Sequence, residues 1–140
     1  RDTVVTRALR AAEFRMLVVE DDARLRRLFE REVLRWDPPV RLELAKDGFE
    51  GLLKAGAQHP HLIVADLQMP GMDGFRMLEA IRSDPSIAAE IVVVTALDPD
   101  AIAERGGLAP AITVLRKPVR MAQVRALVEQ RRERLLRASA

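Results

Sequence analysis

Five short apolar runs, separated by amphipathic stretches, limit the fold of this sequence more than any other feature: FRMLVV at 14–19, VRLELA at 40–45, LIVA at 62–65, IVVV at 91–94 and ITVL at 112–115. Each run has the length of a strand, and the stretches between them repeat apolar residues every three or four positions, as helices do. Parallel strands need a crossover connection, and a helix is the compact way to supply one. The alternation therefore predicts an α/β fold around a parallel sheet. The second run alternates apolar with charged residues and reads as an edge strand with one face toward water.

The helices have recognisable beginnings. The first starts at the Asp21-Asp22 cap with Leu25, Leu28, Phe29, Val33 and Trp36 on one face, and Pro38-Pro39 stops it. A second follows Asp47 with Phe49, Leu52 and Leu53 expected to face inward. A third is expected from Gly74 to about Ser83, with Phe75, Leu78 and Ile81 as its apolar stripe. A short fourth opens at Asp98-Pro99 and ends at Gly106-Gly107. The last runs from about Val119 to Ala138, roughly 30 Å at 1.5 Å per residue. In it Met121, Val124, Val128 and Leu135 sit at heptad-like positions that Arg131 interrupts, so a connector or dimer seam is one reading. The other is a solvated face in which Arg125, Arg131, Arg132, Arg134 and Arg137 partner Glu129 and Glu133.

A chain of 140 residues, about half apolar, has room for one domain with a real core. Its expected organisation is an N-terminal extension at 1–13, a folded domain at 14–130, and an Arg-rich continuation of the last helix or linker at 131–140. The chain opens on Arg rather than Met, as expected of a trimmed chain or of a piece of a longer polypeptide. With no Cys, disulfide frameworks, thiolate zinc sites and cysteine nucleophiles are excluded together. No apolar stretch is long enough to cross a bilayer, and a soluble protein in the cytoplasm is expected. The pI of 9.6 overstates the basicity, because the net charge is only +2. Residues 14–118 carry a net −3 and residues 119–140 a net +4, so the body offers no basic groove for nucleic acid.

Ligands of open parallel sheets bind outside the carboxyl ends of the strands. There the sequence places Glu20-Asp21-Asp22, Asp66, Thr95 and Lys117. Carboxylates, a hydroxyl and an ammonium at one point are the parts needed to handle a phosphoryl group with a divalent cation. Pro70, Gly71 and Gly74 make the segment after Asp66 a loop, so its carboxylate is expected at a rim rather than buried. A carboxylate so placed is a competent phosphoryl acceptor, and its product is an acyl phosphate. Glu20 and Asp21 beside it would repel one another unless a cation such as Mg²⁺ sat between them. Thr95 offers a hydroxyl donor and Lys117, one of only 3 Lys among 23 basic residues, a compact positive charge.

The segments MLVVEDD, IVADLQMPGMDG, VVVTA and LRKP, in this order and spacing, resemble the receiver domain of two-component response regulators over about residues 14–130. The resemblance implies a flavodoxin-like (βα)5 three-layer sandwich with strand order 2-1-3-4-5. It implies that Asp66 is the phosphoacceptor, Asp21 a direct Mg²⁺ ligand, Glu20 a ligand through water and the Gln68 carbonyl a further ligand, with Mn²⁺ as a substitute ion. The amides of Leu67 and Ala96 would join Thr95 and Lys117 around the phosphoryl group. The implied partner is a sensor histidine kinase or phosphotransfer protein. The implied output is a shift of the surface made by the fourth helix, fifth strand and fifth helix, read by a partner or by homodimerisation there or through the last helix. Such a domain is a signalling module that promotes its own phosphorylation and slow dephosphorylation, not an enzyme acting on a separate substrate, and it touches neither nucleic acid nor membrane. The sequence departs from the family at Val114, where an aromatic switch residue is usual, and at Val119, where Phe is common.

Other readings fit less well. A phosphatase of the haloacid-dehalogenase type needs a second Asp where Gln68 stands, and a flavodoxin-type nucleotide binder needs a Gly- or Ser/Thr-rich loop where Glu20-Asp21-Asp22 stands. A receiver-like docking module without chemistry would not need the complete set of residues. His59 and His61 precede the third strand, at the opposite end of the sheet, and read as loop residues; Met69 and Met72 read as loop and packing residues.

Overall fold

A computed structural model describes residues 14–139, so the extension expected over 1–13 lies outside the described residues. Strands β1 (Arg15–Val19), β2 (Arg41–Ala45), β3 (Leu62–Ala65), β4 (Glu90–Thr95) and β5 (Thr113–Arg116) alternate with helices α1 (Ala23–Val33), α2 (Gly48–Gln58), α3 (Gly74–Ser83), α4 (Pro99–Glu104) and α5 (Met121–Ser139). All strand pairs are parallel, in the order β2-β1-β3-β4-β5. This is the flavodoxin-like three-layer sandwich, with β2 on an edge as its alternating pattern predicted.

The three inner strands bury both faces. Leu17, Val19, Ile63, Ala65, Ile91 and Val93 point into one core with α2, α3 and α4. Met16, Val18, Leu62, Val64, Val92 and Val94 point into the other with α1 and α5. The two-residue period of a strand divides each apolar run between the two layers, which is why those runs are continuous rather than alternating. Asp22, Asp47, Asp73 and Asp98 each cap a helix by accepting a backbone N–H from its first turn.

Three local expectations are corrected. Helix α1 ends at Val33, before Pro38; the chain closes with short turns from the Arg35 amide to Glu32 and from the Trp36 amide to Val33, and Trp36 is buried from outside the helix. In α2, Phe49 and Leu53 face solvent, 61% and 73% exposed. The inward positions are taken by Gly48, Gly51 and Ala55, with Leu52 packed beside them. A Cβ on Gly51 would lie 2.9 Å from both Met77 and Val19, so only a glycine lets the helix approach this closely.

The third correction concerns the end of α5. Val124 and Val128 are buried in the domain's own core and Leu135 packs against it, so these positions are not an open seam. Arg132 is only 3% exposed; its guanidinium donates to the Pro38 and Pro39 carbonyls at 3.0 and 3.1 Å and lies over the Phe14 ring. Arg131 and Arg134 both pair with Glu90, at 2.9 and 2.8 Å. Arg125–Glu129 and Arg137–Glu133 are the surface pairs expected, at 3.8 and 4.0 Å.

Candidate functional site

Four strands deliver one residue each to the same end of the sheet, and the ladder itself fixes three of them. The Glu20 amide donates to the Ala45 carbonyl at 2.9 Å, the Asp66 amide to Val19 at 3.1 Å and the Lys117 amide to Thr95 at 2.8 Å. Each of these residues stands just past its strand yet is held like part of it. The glycine at 74 lets α3 start directly beneath the site: its amide donates to the Leu67 carbonyl at 3.0 Å, and a Cβ there would fall 2.4 Å from the Asp66 carbonyl oxygen.

The side chains meet. The Lys117 ammonium lies 2.8 Å from Glu20 Oε1 and 2.9 Å from Asp66 Oδ2, and it reaches Asp66 across 51 positions of sequence. Glu20, Asp21 and Asp66 each present a carboxylate oxygen within 4.8 Å of the others. The expectation that Asp66 stands unburied at a rim is corrected. Asp66 is 5% exposed and Glu20 2%, while Asp21 faces solvent. Leu67, fully buried, follows Asp66, and Lys117 covers the carboxylate from β5.

Burial sets the electrostatics. Loss of water pushes the Glu20 carboxyl above its ordinary range, against the lowering effect of its bonds from Lys117 and the Asp22 amide. Burial also draws the Lys117 ammonium down, but its bonds to Asp66 and Glu20 outweigh that and hold it above the usual lysine value. Three carboxylates against one ammonium leave a local formal excess of negative charge, two of the acids being cut off from water. Oxygen donors this close suit a hard divalent cation, whose ligands stand about 2.0–2.6 Å from the metal. Glu20, Asp21 and Asp66 fit such an ion.

Thr95 is fully buried; its hydroxyl oxygen accepts the Leu97 amide at 3.2 Å, and its carbonyl receives the Lys117 amide. The Gln68 amide donates to Asp66 Oδ1 at 3.2 Å while its side chain is exposed. Ala96 follows Thr95 at the surface, and Val114 is 39% exposed on the edge strand β5. Met69 and Met72 pack against the core. His61 lies at the far end of the sheet, stacked on Phe14 and accepting the Arg15 amide on Nδ1 at 2.9 Å, and His59 ends α2 in a left-handed conformation.

Two residues of the site went unread in the sequence. Arg26 donates through Nη1 to the Glu20 and Asp21 carbonyls, at 2.7 and 2.8 Å. Its place one turn after the Asp22 cap was a usable signal, because helical side chains lean back toward the N-terminus. Arg105 joins the end of α4 to the site loop by pairing with Asp73 at 3.6 Å and lying over Phe75.

The family model described as the response regulator receiver domain matches residues 16–129. The chain is 30% identical over 120 residues to the probable chemotaxis protein CheY of Rhizobium etli, an alignment covering 85% of this chain and 92% of that one. It is 38% identical over 119 residues to a protein-glutamate methylesterase/protein-glutamine glutaminase of Anaeromyxobacter dehalogenans, covering 76% of this chain and 34% of that protein. The chain thus spans nearly all of the first relative and about a third of the second. Among solved structures it is similar to the N-terminal domain of a response regulator receiver protein from Methanoculleus marisnigri, with 28% identity, a TM-score of 0.64, and coverage of 85% of this chain and 96% of that one.

Proposed function

The chain belongs to the response regulator receiver domain family, and on that premise we propose that it is a phosphorylation-controlled module of a two-component system in which Asp66 is the phosphoacceptor. The observation that carries this reading is the Lys117 ammonium bridging Asp66 and Glu20, at 2.9 and 2.8 Å. It sets one positive charge where the oxygens of a transferring group need one, against a carboxylate held by strand geometry.

The donor is the phosphohistidine of a sensor histidine kinase or phosphotransfer protein. An Asp66 carboxylate oxygen attacks phosphorus, the P–N bond to the imidazole breaks, and the departing nitrogen keeps the electron pair and takes up a proton. Lys117 then transfers its contact from carboxylate to phosphoryl oxygen. Thr95 supplies its O–H and the amides of Leu67 and Ala96 supply two more donors. Asp21, Asp66 and the Gln68 carbonyl, with Glu20 through water, would hold a divalent ion, Mg²⁺ or in its place Mn²⁺. When bound it neutralises charge on the oxygens of the transferring group. Hydrolysis of the acyl phosphate resets the domain.

The phosphorylated state is read through α4, β5 and α5, by a partner or by a second copy. Val114 carries no ring to swing between buried and exposed positions, so the signal there rests on Thr95 and the backbone of β4 and β5. No helix among the described residues is long and apolar enough to cross a membrane. The proposed role is in the cytoplasm without direct nucleic-acid or membrane contact; the acidic body of the domain supports the absence of nucleic-acid contact.

The purified protein with Mg²⁺ and a small acyl phosphate should gain one base-labile phosphoryl group by intact mass. Asp66→Asn or a chelator should abolish the gain. Labelling of Asp66→Asn to the wild-type level would overturn the assignment.

A further inference from the structure

We propose that Arg26 is a positioning residue for the divalent cation, holding the Glu20-Asp21 turn in its ligating shape. The inference rests on the cation reading above and adds a residue that touches neither the ion nor the phosphoryl group. Its basis is one nitrogen bonded to two consecutive carbonyls: Arg26 Nη1 donates to Glu20 at 2.7 Å and to Asp21 at 2.8 Å. These two residues carry two of the three converging carboxylates. Asp21 lies between the end of β1 and the start of α1, and its side chain is exposed. The backbone that carries the Arg26 side chain is fixed, since its amide donates to the Asp22 carbonyl at 3.0 Å in the first turn of α1.

Two physical effects of this guanidinium oppose each other. Its positive charge near the acids repels a cation, so an arginine that acted only by charge would weaken cation binding, and neutralising it would tighten binding. Its hydrogen bonds restrict the turn to one shape, so that the ion need not order its own ligands, and losing them would weaken binding. Supporting groups behind metal ligands are commonly worth about 10–100-fold in affinity. The short double contact makes the second effect the larger. The sign of the change on removing Arg26 therefore decides between the two roles.

Mg²⁺ titrated calorimetrically into the wild-type chain, Arg26→Gln and Arg26→Lys provides the test. Arg26→Gln should bind Mg²⁺ about 10-fold more weakly with one ion per chain retained, because a folding defect lowers the stoichiometry instead. Arg26→Lys, which keeps the charge and can still donate to a carbonyl, should recover part of the loss. Phosphorylation from a small acyl phosphate should need correspondingly more Mg²⁺ for half-maximal rate. Unchanged or tighter binding by a folded Arg26→Gln would overturn the role of Arg26 alone. Failure of the wild type to bind Mg²⁺ would overturn the cation reading and this inference with it.

Discussion

Glu20 holds a carboxylate almost out of water, and without a cation its charge is a cost to the fold. Because burial raises its pKa, the folded state holds the proton better than the unfolded chain, and ionisation above that range works against folding. Glu20→Gln should therefore raise the thermal midpoint in chelator at neutral pH, by roughly 4 °C for each 1 kcal/mol of stability gained. The advantage should shrink as pH falls into the range where Glu20 protonates. Added Mg²⁺ should raise the wild-type midpoint more than that of the variant, since an ion that binds only the folded state stabilises it by mass action. A variant less stable than wild type in chelator would mean that the Lys117 bond outweighs desolvation. The site was legible at this scale because strand ends in a parallel sheet share one rim, so Glu20, Asp21, Asp66 and Lys117 could be brought together from the apolar runs alone. The depth of Asp66 was not, because the lysine that covers it stands 51 positions away, on a strand whose packing no local pattern reveals.

Helix α2 shows where element-level reading gave out. Phe49 and Leu53 are its largest apolar side chains together with Leu52, and a hydrophobic face was drawn through all three. Contact distance overrode residue size: Gly48 and Gly51 let α2 press against Met72, Met77 and Val19, which leaves no depth for a large residue on that side. Exchanging Phe49 or Leu53 for Gln should change stability by within about 0.5 kcal/mol, as at ordinary surface positions, rather than the 2–5 kcal/mol of a core truncation. Denaturant melts of the two variants check this, and a loss of core size in either would restore the inward reading. Helix α3 makes the opposite demand. A methyl at Gly74 would strike the Asp66 carbonyl and the Leu67 Cα at 2.4 and 2.5 Å, both rigid backbone. Gly74→Ala should cost about 1–3 kcal/mol and, by shifting the segment that carries the acceptor, slow phosphorylation from a small donor at saturating Mg²⁺. Normal rates in a destabilised Gly74→Ala would separate the packing role from the site.

For the whole molecule, α5 and its contacts continue beyond the last residue of the family match. That match ends at 129, while Arg131, Arg132 and Arg134 fasten the next turns of α5 to three distant parts of the chain: Glu90 at the start of β4, the Pro38-Pro39 carbonyls before β2, and the Phe14 ring. Composition argued for a solvated arginine face here, because an arginine among other arginines looks like surface until its partners are known. The partners lie about forty and ninety positions away, beyond the reach of helical periodicity. The buried Arg132 Nε has no hydrogen-bond partner among the described residues, so the fastening is incompletely satisfied and worth less than its contact list implies. Even so, a chain ending at Gln130 would uncover Phe14 and free two carbonyls and Glu90 together. That truncation should lower stability by about 2–4 kcal/mol, and Arg132→Ala alone should account for at least half of the loss. Arg137→Ala, which removes a surface contact with Glu133 at 4.0 Å, should leave the melt unchanged. If instead the chain ending at Gln130 melts like the full chain, the last turns of α5 are a linker laid against the domain, and those turns can move without disturbing the sheet. If it melts early, any movement at the site that reaches α5 is carried by a helix anchored at the opposite end of the sheet, and displaces that helix as a rigid rod.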